Sequence, residues 1–255
     1  MTWRWVPPAI TLVAVLAGWE VLVRLAEIPH YTLPAPSLIA KTLWQTLPSL
    51  ARSWRFTLEI TFGGLALAAL GGVAVAAVFA LWRPVEAALF PLAVVLQVTP
   101  VVAIAPLILI YVESTTAALL LCTWVVAFFP ILSNTVTGLR AADPNLRDLF
   151  RLYRATPWQR LRLLLVPGAL PYFLAGLRIS GGLALIGAVT AEMVAGVAGR
   201  ETGLASRILE ASYRSETPKM FAALVLLMFT GVLIFWSFNA LSRRLIGRWH
   251  ASERL

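Results

Sequence analysis

The stretch Asp148–Pro171, "DLFRLYRATPWQRLRLLLVPGALP", places Arg151, Arg154, Arg160 and Arg162 in a short run, then three leucines, then Pro167 and Pro171. Long apolar segments lie on both sides of it. The densest positive charge of a very apolar chain therefore sits in one internal connection. What that connection is for decides how the rest of the chain is read.

The 255-residue chain is 60% hydrophobic and 13% charged, with a mean hydropathy of +0.82. Soluble domains are closer to half apolar and a quarter charged, so the composition describes one membrane domain, residues 1–255, with little soluble mass. A net charge of +9 would suggest nucleic acid in a soluble protein. In a membrane protein it reads as basic loops that hold helices in orientation, so nucleic acid is not an expected partner. Cys122 is the single cysteine, which excludes an internal disulfide and a Cys-rich metal site; His30 and His250 are far apart and suggest no metal site either. Arg4 precedes an apolar stretch that is long for a signal peptide and is followed by more membrane-like segments, so it is expected to be a first transmembrane helix.

A bilayer core takes about 20 helical residues. Six segments qualify: about Trp5–Leu25, Ile60–Leu81, Val85–Val112, Thr116–Thr137, Leu170–Val197 and Met220–Leu241. The expected fold class is an all-α membrane protein with six transmembrane helices. The third segment holds Pro91, Pro100 and Pro106. Proline removes a backbone donor, and such breaks are tolerated at membrane depth where protein or a cavity meets the freed groups. This helix is expected to be broken and to lie inside the bundle. Gly63, Gly64, Gly71 and Gly72 in the second segment, and Gly176, Gly181, Gly182 and Gly187 in the fifth, suit close helix packing.

Arginines set orientation. Arg140, Arg147, Arg151, Arg154, Arg160 and Arg162 fall between segments four and five, Arg243, Arg244, Arg248 and Arg254 in the C-terminal tail, and Arg83 between segments two and three. With six helices these share one side, which the positive-inside rule makes cytoplasmic, with both termini inside. Lys41, Arg52 and Arg55 in the first outer loop run against the rule.

Within the loop of about 138–167, Asp143 is a candidate N-cap with Pro144 at the first helical position. Leu146, Leu149, Phe150 and Tyr153 recur at helical spacing, with Arg147, Arg151 and Arg154 on another face. Pro157 disfavours helix at Thr156, and "WQRLRLLLV" reads as a second short helix ending at Pro167. Three explanations stay open: a basic amphipathic pair lying on anionic lipid, a topology anchor, or a dock for a partner protein.

The same stretch resembles the EAA loop of bacterial ABC-importer permeases. Asp148 stands at the motif's Glu, Leu149 and Phe150 at its two alanines, Arg154 at its Gly and Ala155 at the Ala that follows; "VPGALP" matches the close. Arg154 removes a small residue at the family's helix bend. Leu149 and Phe150 enlarge the docking surface, which fits a match to one dedicated ATPase. "LPAPSLI", "FPLAVVLQVTPVVAIAPLILIYV", "FFPILSNTVTGLRAADPNL", "GLRISGGLALIGAVTAEMVAG" and "TGLASRILEASYRSETPKMFAAL" resemble the nitrate/sulfonate/taurine branch in order, from Leu33 to the C-terminus.

The resemblance implies an ABC type I importer permease in a bacterial inner (cytoplasmic) membrane, forming the pathway as a homodimer. It implies two ATPase subunits at the loop, with Asp148, Leu149, Phe150, Arg151, Arg154, Ala155, Thr156, Pro157 and Trp158 as the coupling residues, and an extracytoplasmic binding protein. No cofactor is expected in this chain. It has no G-x-x-x-x-G-K-[ST] stretch, so ATP and Mg would belong to the partner ATPases and the chain is no enzyme itself.

Ionisable and polar groups inside membrane segments are pathway candidates: Glu59, Gln97, Thr99, Asn134 and Glu192. For each, a hydrogen bond between helices or a solvated helix end is the plainer reading. "TLEITFGG", "LQVTPVVAIAPL" and the terminal "RWH" resemble permeases for a thiamine pyrimidine precursor, with sulfonate, taurine or nitrate as alternatives. A neutral aromatic ring would suit a pathway near Trp124, Phe128 and Phe129. A membrane enzyme lacks the clustered ionisable groups it would need. An ATP-independent channel or secondary transporter remains the alternative of another class, although inverted repeats with broken helices in both halves are not seen.

Overall fold

A computed structural model describes residues 6–196 and 202–246. Trp5 and Val197, expected ends of two segments, and the tail from 247, with Arg248, His250 and Arg254, lie outside the described residues. The regular structure of the described residues is all helix, without strands: α1 Val6–Leu25, α2 Pro36–Leu81, α3 Arg83–Val98, α4 Val101–Tyr111, α5 Thr115–Arg140, α6 Pro144–Leu152, α7 Pro157–Arg160, α8 Val166–Ala195, α9 Leu204–Tyr213 and α10 Thr217–Ile246, with a π turn at Leu161–Leu165. Among them α1, α2, α5, the α7–α8 run and α10 are long and apolar enough to cross a bilayer. Counting α3 and α4 as one broken span makes six.

Two compact units result. One holds the described residues up to Phe56 with those from Gly196 to Phe229; the other holds Thr57–Ala195 with those from Thr230 on. In the first unit, Glu20 of α1 accepts from the Ser37 backbone N–H at 3.0 Å and its hydroxyl at 2.8 Å. A carboxylate there meets the orphan donors at the start of α2. Trp19 packs on Phe221 with ring centroids 6.0 Å apart, and Arg207 of α9 donates to Ser53 at 3.0 Å.

The second unit is built on α5 and α8. Small residues let them touch. A Cβ on Gly176 would lie 2.8 Å from the Pro130 carbonyl oxygen, and one on Gly64 of α2 would lie 2.4 Å from Thr123 Cγ2. Both are closer than any side chain tolerates, so backbone approach sets these contacts. Ser180 adds a hydrogen bond to the Ala127 carbonyl at 2.7 Å. Ile131, Leu132, Ala184 and Phe79 fill the core between the helices.

Three expectations are corrected. The second segment does not begin at Ile60: α2 is continuous from Pro36. Charge at Arg52, Arg55 and Glu59 ends an apolar window but breaks no helix, since Arg and Glu are good helix formers. The broken third segment bends by 100° at the Thr99–Pro100 joint, but it is not inside the bundle. Only Glu86 of α3 and Ala105 of α4 are buried. At the break the Val95 carbonyl accepts from both the Thr99 N–H, at 3.2 Å, and the Thr99 hydroxyl, at 2.8 Å. Finally, the helix after Pro157 does not stop at Pro167. It passes through the π turn into α8, with Val166 N–H bonding to the Leu161 carbonyl. The wider turn re-sites the carbonyls that a proline ring would strike, as π-bulges do.

Candidate coupling and translocation site

The arginine-rich segment from Asp143 to Arg160 is capped at every joint. Asp143 accepts from the Asn145 N–H at 2.8 Å, with Pro144 at the first helical position, as its sequence predicts. At the other end of α6, Ala155 N–H bonds to the Phe150 carbonyl and Arg154 N–H to the Arg151 carbonyl, both at 2.9 Å. These are the two bonds of a Schellman motif, whose C′ residue is left-handed and usually glycine. Arg154 has φ +51°. The bend at which the EAA motif has Gly is therefore kept, and an arginine is held in the conformation glycine prefers. Thr156 then starts α7 with a reciprocal capping box: Gln159 N–H donates to its hydroxyl at 3.2 Å and its own N–H donates to the Gln159 side chain at 2.8 Å.

α6 exposes apolar as well as charged side chains. Phe150 packs against the core. Leu146, Leu149, Leu152 and Tyr153 are exposed, the last two at 81% and 80%, as is Trp158 on α7. Asp148 pairs with Arg151 at 3.2 Å on the surface, a geometry of little energetic weight. Exposed leucines and a tyrosine on one short helix make a surface suited to being covered.

Arginines gather behind that face. A cavity of about 290 Å³ is bordered by Arg83, Arg140, Arg147, Arg151, Arg160 and Glu86. A second, of about 510 Å³, adjoins it between α3 and α5 and shares Arg83, Glu86 and Arg140. Its other lining includes Phe90, Pro91, Ser133 and Thr137. Glu86 is buried in the first turn of α3 and pairs with Arg140 in the last turn of α5. Each charge sits at the helix end whose dipole favours it. Arg147 reaches back to the carbonyls of Arg140 at 2.6 Å and Leu139 at 3.3 Å, capping α5.

The pathway candidates are spread over several helices, and neither cavity is lined by any of them. Glu59 is exposed on α2 and Gln97 on the last turn of α3. Thr99 bonds its own helix at the break. Asn134 donates to the Pro130 carbonyl at 2.8 Å, beside the Gly176 contact. Glu192 is the buried one, 1% exposed on α8. Trp124 and Phe128 stack 5.0 Å apart, Phe128 within the core.

Glu86, Arg140 and Arg160 were not among the sequence candidates. A signal was present: Glu86 follows Arg83-Pro84 at the very start of an apolar segment, where a carboxylate without a partner is costly. Nothing in the linear sequence pairs it with a residue 54 positions away.

These helices and the broken span describe a protein with up to six membrane crossings among the described residues. The chain belongs to the family described as "binding-protein-dependent transport system inner membrane component", matched over residues 68–247, and is an ABC-importer permease of the nitrate/sulfonate branch. It is 34% identical over 246 residues, 95% of the chain and 90% of the relative, to a riboflavin transport system permease protein of Chloroflexus aurantiacus. It is 31% identical over 240 residues, 94% of each chain, to a formylaminopyrimidine transport permease protein of Halalkalibacterium halodurans. Its fold is shared with the crystal structure of an amino acid ABC transporter with histidines: TM-score 0.61, 18% identity, covering 79% of this chain and 96% of that one.

Proposed function

We propose that this permease carries a small planar nitrogen heterocycle, of the pyrimidine class, through a pathway formed with a second copy of itself, and that α6–α7 couples it to ATPase subunits on the cytoplasmic side. The observation that carries the coupling is the exposed face of Leu149, Leu152, Tyr153 and Trp158 on a segment capped at every joint. A rigid segment transmits displacement, and an apolar outer face supplies the area for a stable contact.

Arg154 belongs to this outer surface; Arg151 serves the cavity behind it. An extracytoplasmic binding protein delivers the substrate, and both termini are cytoplasmic in the bacterial inner membrane. Substrate class is supported by the two relatives above. Riboflavin and formylaminopyrimidine share a planar nitrogen-containing ring and no fixed anionic group. The cavity between α3 and α5 suits such a molecule, with Phe90 for its face and Ser133 and Thr137 for its polar edge. Glu59, Gln97, Thr99, Asn134 and Glu192 are the proposed pathway residues at other depths.

The test is a mild-detergent pull-down of the tagged chain from its host membrane. A stoichiometric ATPase is expected, lost when Leu149, Leu152 and Tyr153 are replaced together by serine. A chain that emerges alone and still moves solute in vesicles without ATP would be a channel or secondary transporter. A reporter fused after Leu255 is expected to read cytoplasmic.

A further inference from the structure

The 290 Å³ cavity behind α6 is rich in positive charge. Five guanidinium groups border it: Arg83 at the start of α3, Arg140 at the end of α5, Arg147 and Arg151 on α6, and Arg160 on α7. Glu86 answers Arg140 and Asp148 answers Arg151. Among the described residues Arg83, Arg147 and Arg160 form no ion pair. Arg147 Nε is also buried and has no hydrogen-bond partner. Among those residues, Arg83 and Arg160 have no counter-charge and Arg147 has only the α5 carbonyls, so the three repel one another around one concavity unless an anion joins them. A buried guanidinium N–H without an acceptor is costly on its own account.

Geometry selects the anion. Arginines of four different helices line this one cavity. They suit a tetrahedral oxyanion with several acceptor oxygens better than a flat carboxylate. The deep wall is apolar, with Phe79, Ala80 and Leu165. The cavity lies where α2 ends at Leu81 and α5 ends at Arg140, the level at which spans leave the hydrocarbon and meet headgroups.

We propose that this cavity binds a phosphate-bearing anion, with the headgroup of an anionic phospholipid as the source its position favours. The occupied site would hold the start of α3, the end of α5 and α6–α7 together. It would tie the coupling segment to the bundle without using its outer face. The inference does not depend on the substrate or on the coupling reading.

The full chain, purified in a neutral lipid-free detergent, is titrated with dioctanoyl phosphatidylglycerol, dioctanoyl phosphatidylcholine and inorganic phosphate. Native mass spectrometry counts bound molecules and thermal unfolding reads stabilisation. Phosphatidylglycerol is expected to saturate at one tightly held molecule per chain, with phosphatidylcholine weaker. Arg83→Gln with Arg160→Gln should weaken it about tenfold, while Arg162→Gln, outside the lining, should not. If the double variant does not fold, Arg83→Gln alone serves, since Arg83 is exposed and lines the cavity. Inorganic phosphate that binds with the same arginine dependence, where the lipid does not, would keep the site and assign its source to free phosphate. Binding that is unchanged in both variants overturns the proposal. So does a lipid site that vanishes whenever an ATPase subunit is bound, which would give these arginines to that subunit.

Discussion

Glu86 and Arg140 form an ion pair that borders both cavities, and its two members differ in solvation: the Glu86 side chain is 10% exposed and that of Arg140 62%. Removing Glu86 frees an arginine that water can solvate. Removing Arg140 leaves a carboxylate largely withdrawn from water. Arg140→Gln is therefore expected to destabilise the chain by about 1–2 kcal/mol and Glu86→Gln by under about 1 kcal/mol, the exposed partner discounting both. Thermal unfolding of the two single variants and the double variant in one detergent checks the order. Equal losses would mean that Arg83 already holds the carboxylate.

Arg154 offers a second measurement. Its φ of +51° puts a Cβ where glycine has none, at a cost of about 1 kcal/mol. Arg154→Gly is expected to stabilise the chain by about that amount. Arg154→Ala keeps the strained backbone and should be close to neutral. The pair separates conformation from side-chain contact. If the glycine variant is more stable and yet loses ATPase co-purification, the arginine is retained for the partner it touches.

Much of this was legible beforehand. The Asp143 cap and the break at Pro157 are local events, each set by one or two neighbouring residues, and each stands where the sequence puts it; of the three prolines in the third span only Pro100 marks the break, with Pro91 and Pro106 inside α3 and α4. Segment ends were legible only where helix and apolarity stop together. At α2 they do not, so 24 residues before Ile60 were missed. The run into α8 was missed because a π turn depends on its surroundings, not on any residue type. The Glu86–Arg140 pair and the arginine cavity were illegible for a different reason. They are assembled from helix ends far apart in the chain, and charge counted loop by loop gives orientation but not juxtaposition.

Packing of α8 on α5 predicts a contrast between two glycines that look alike in sequence. A Cβ on Gly176 meets the Pro130 carbonyl at 2.8 Å and Asn134 Cβ at 3.0 Å, whereas one on Gly182 meets nothing within 4 Å. Backbone cannot rotate away as a side chain can. Gly176→Ala is expected to cost about 1–3 kcal/mol and to lower yield from membranes. Gly182→Ala should be neutral or slightly stabilising, as alanine suits a helix interior better. Melting curves of the two variants decide it.

Glu192 gives the sharpest test of the pathway reading. It is 1% exposed on α8, in the unit whose core is α5 and α8. Glutamine keeps its shape and most of its hydrogen-bonding capacity but cannot ionise or carry a proton. If the carboxyl only supports packing, Glu192→Gln should change folding and transport together and modestly. If its charge state matters when substrate passes or the bundle rearranges, expression and melting should stay near wild type while ATP-driven uptake in vesicles falls by about tenfold or more. We expect the second result. Measuring membrane yield, melting temperature and uptake on the same preparation distinguishes the two, because a packing defect cannot lower uptake while leaving the first two untouched.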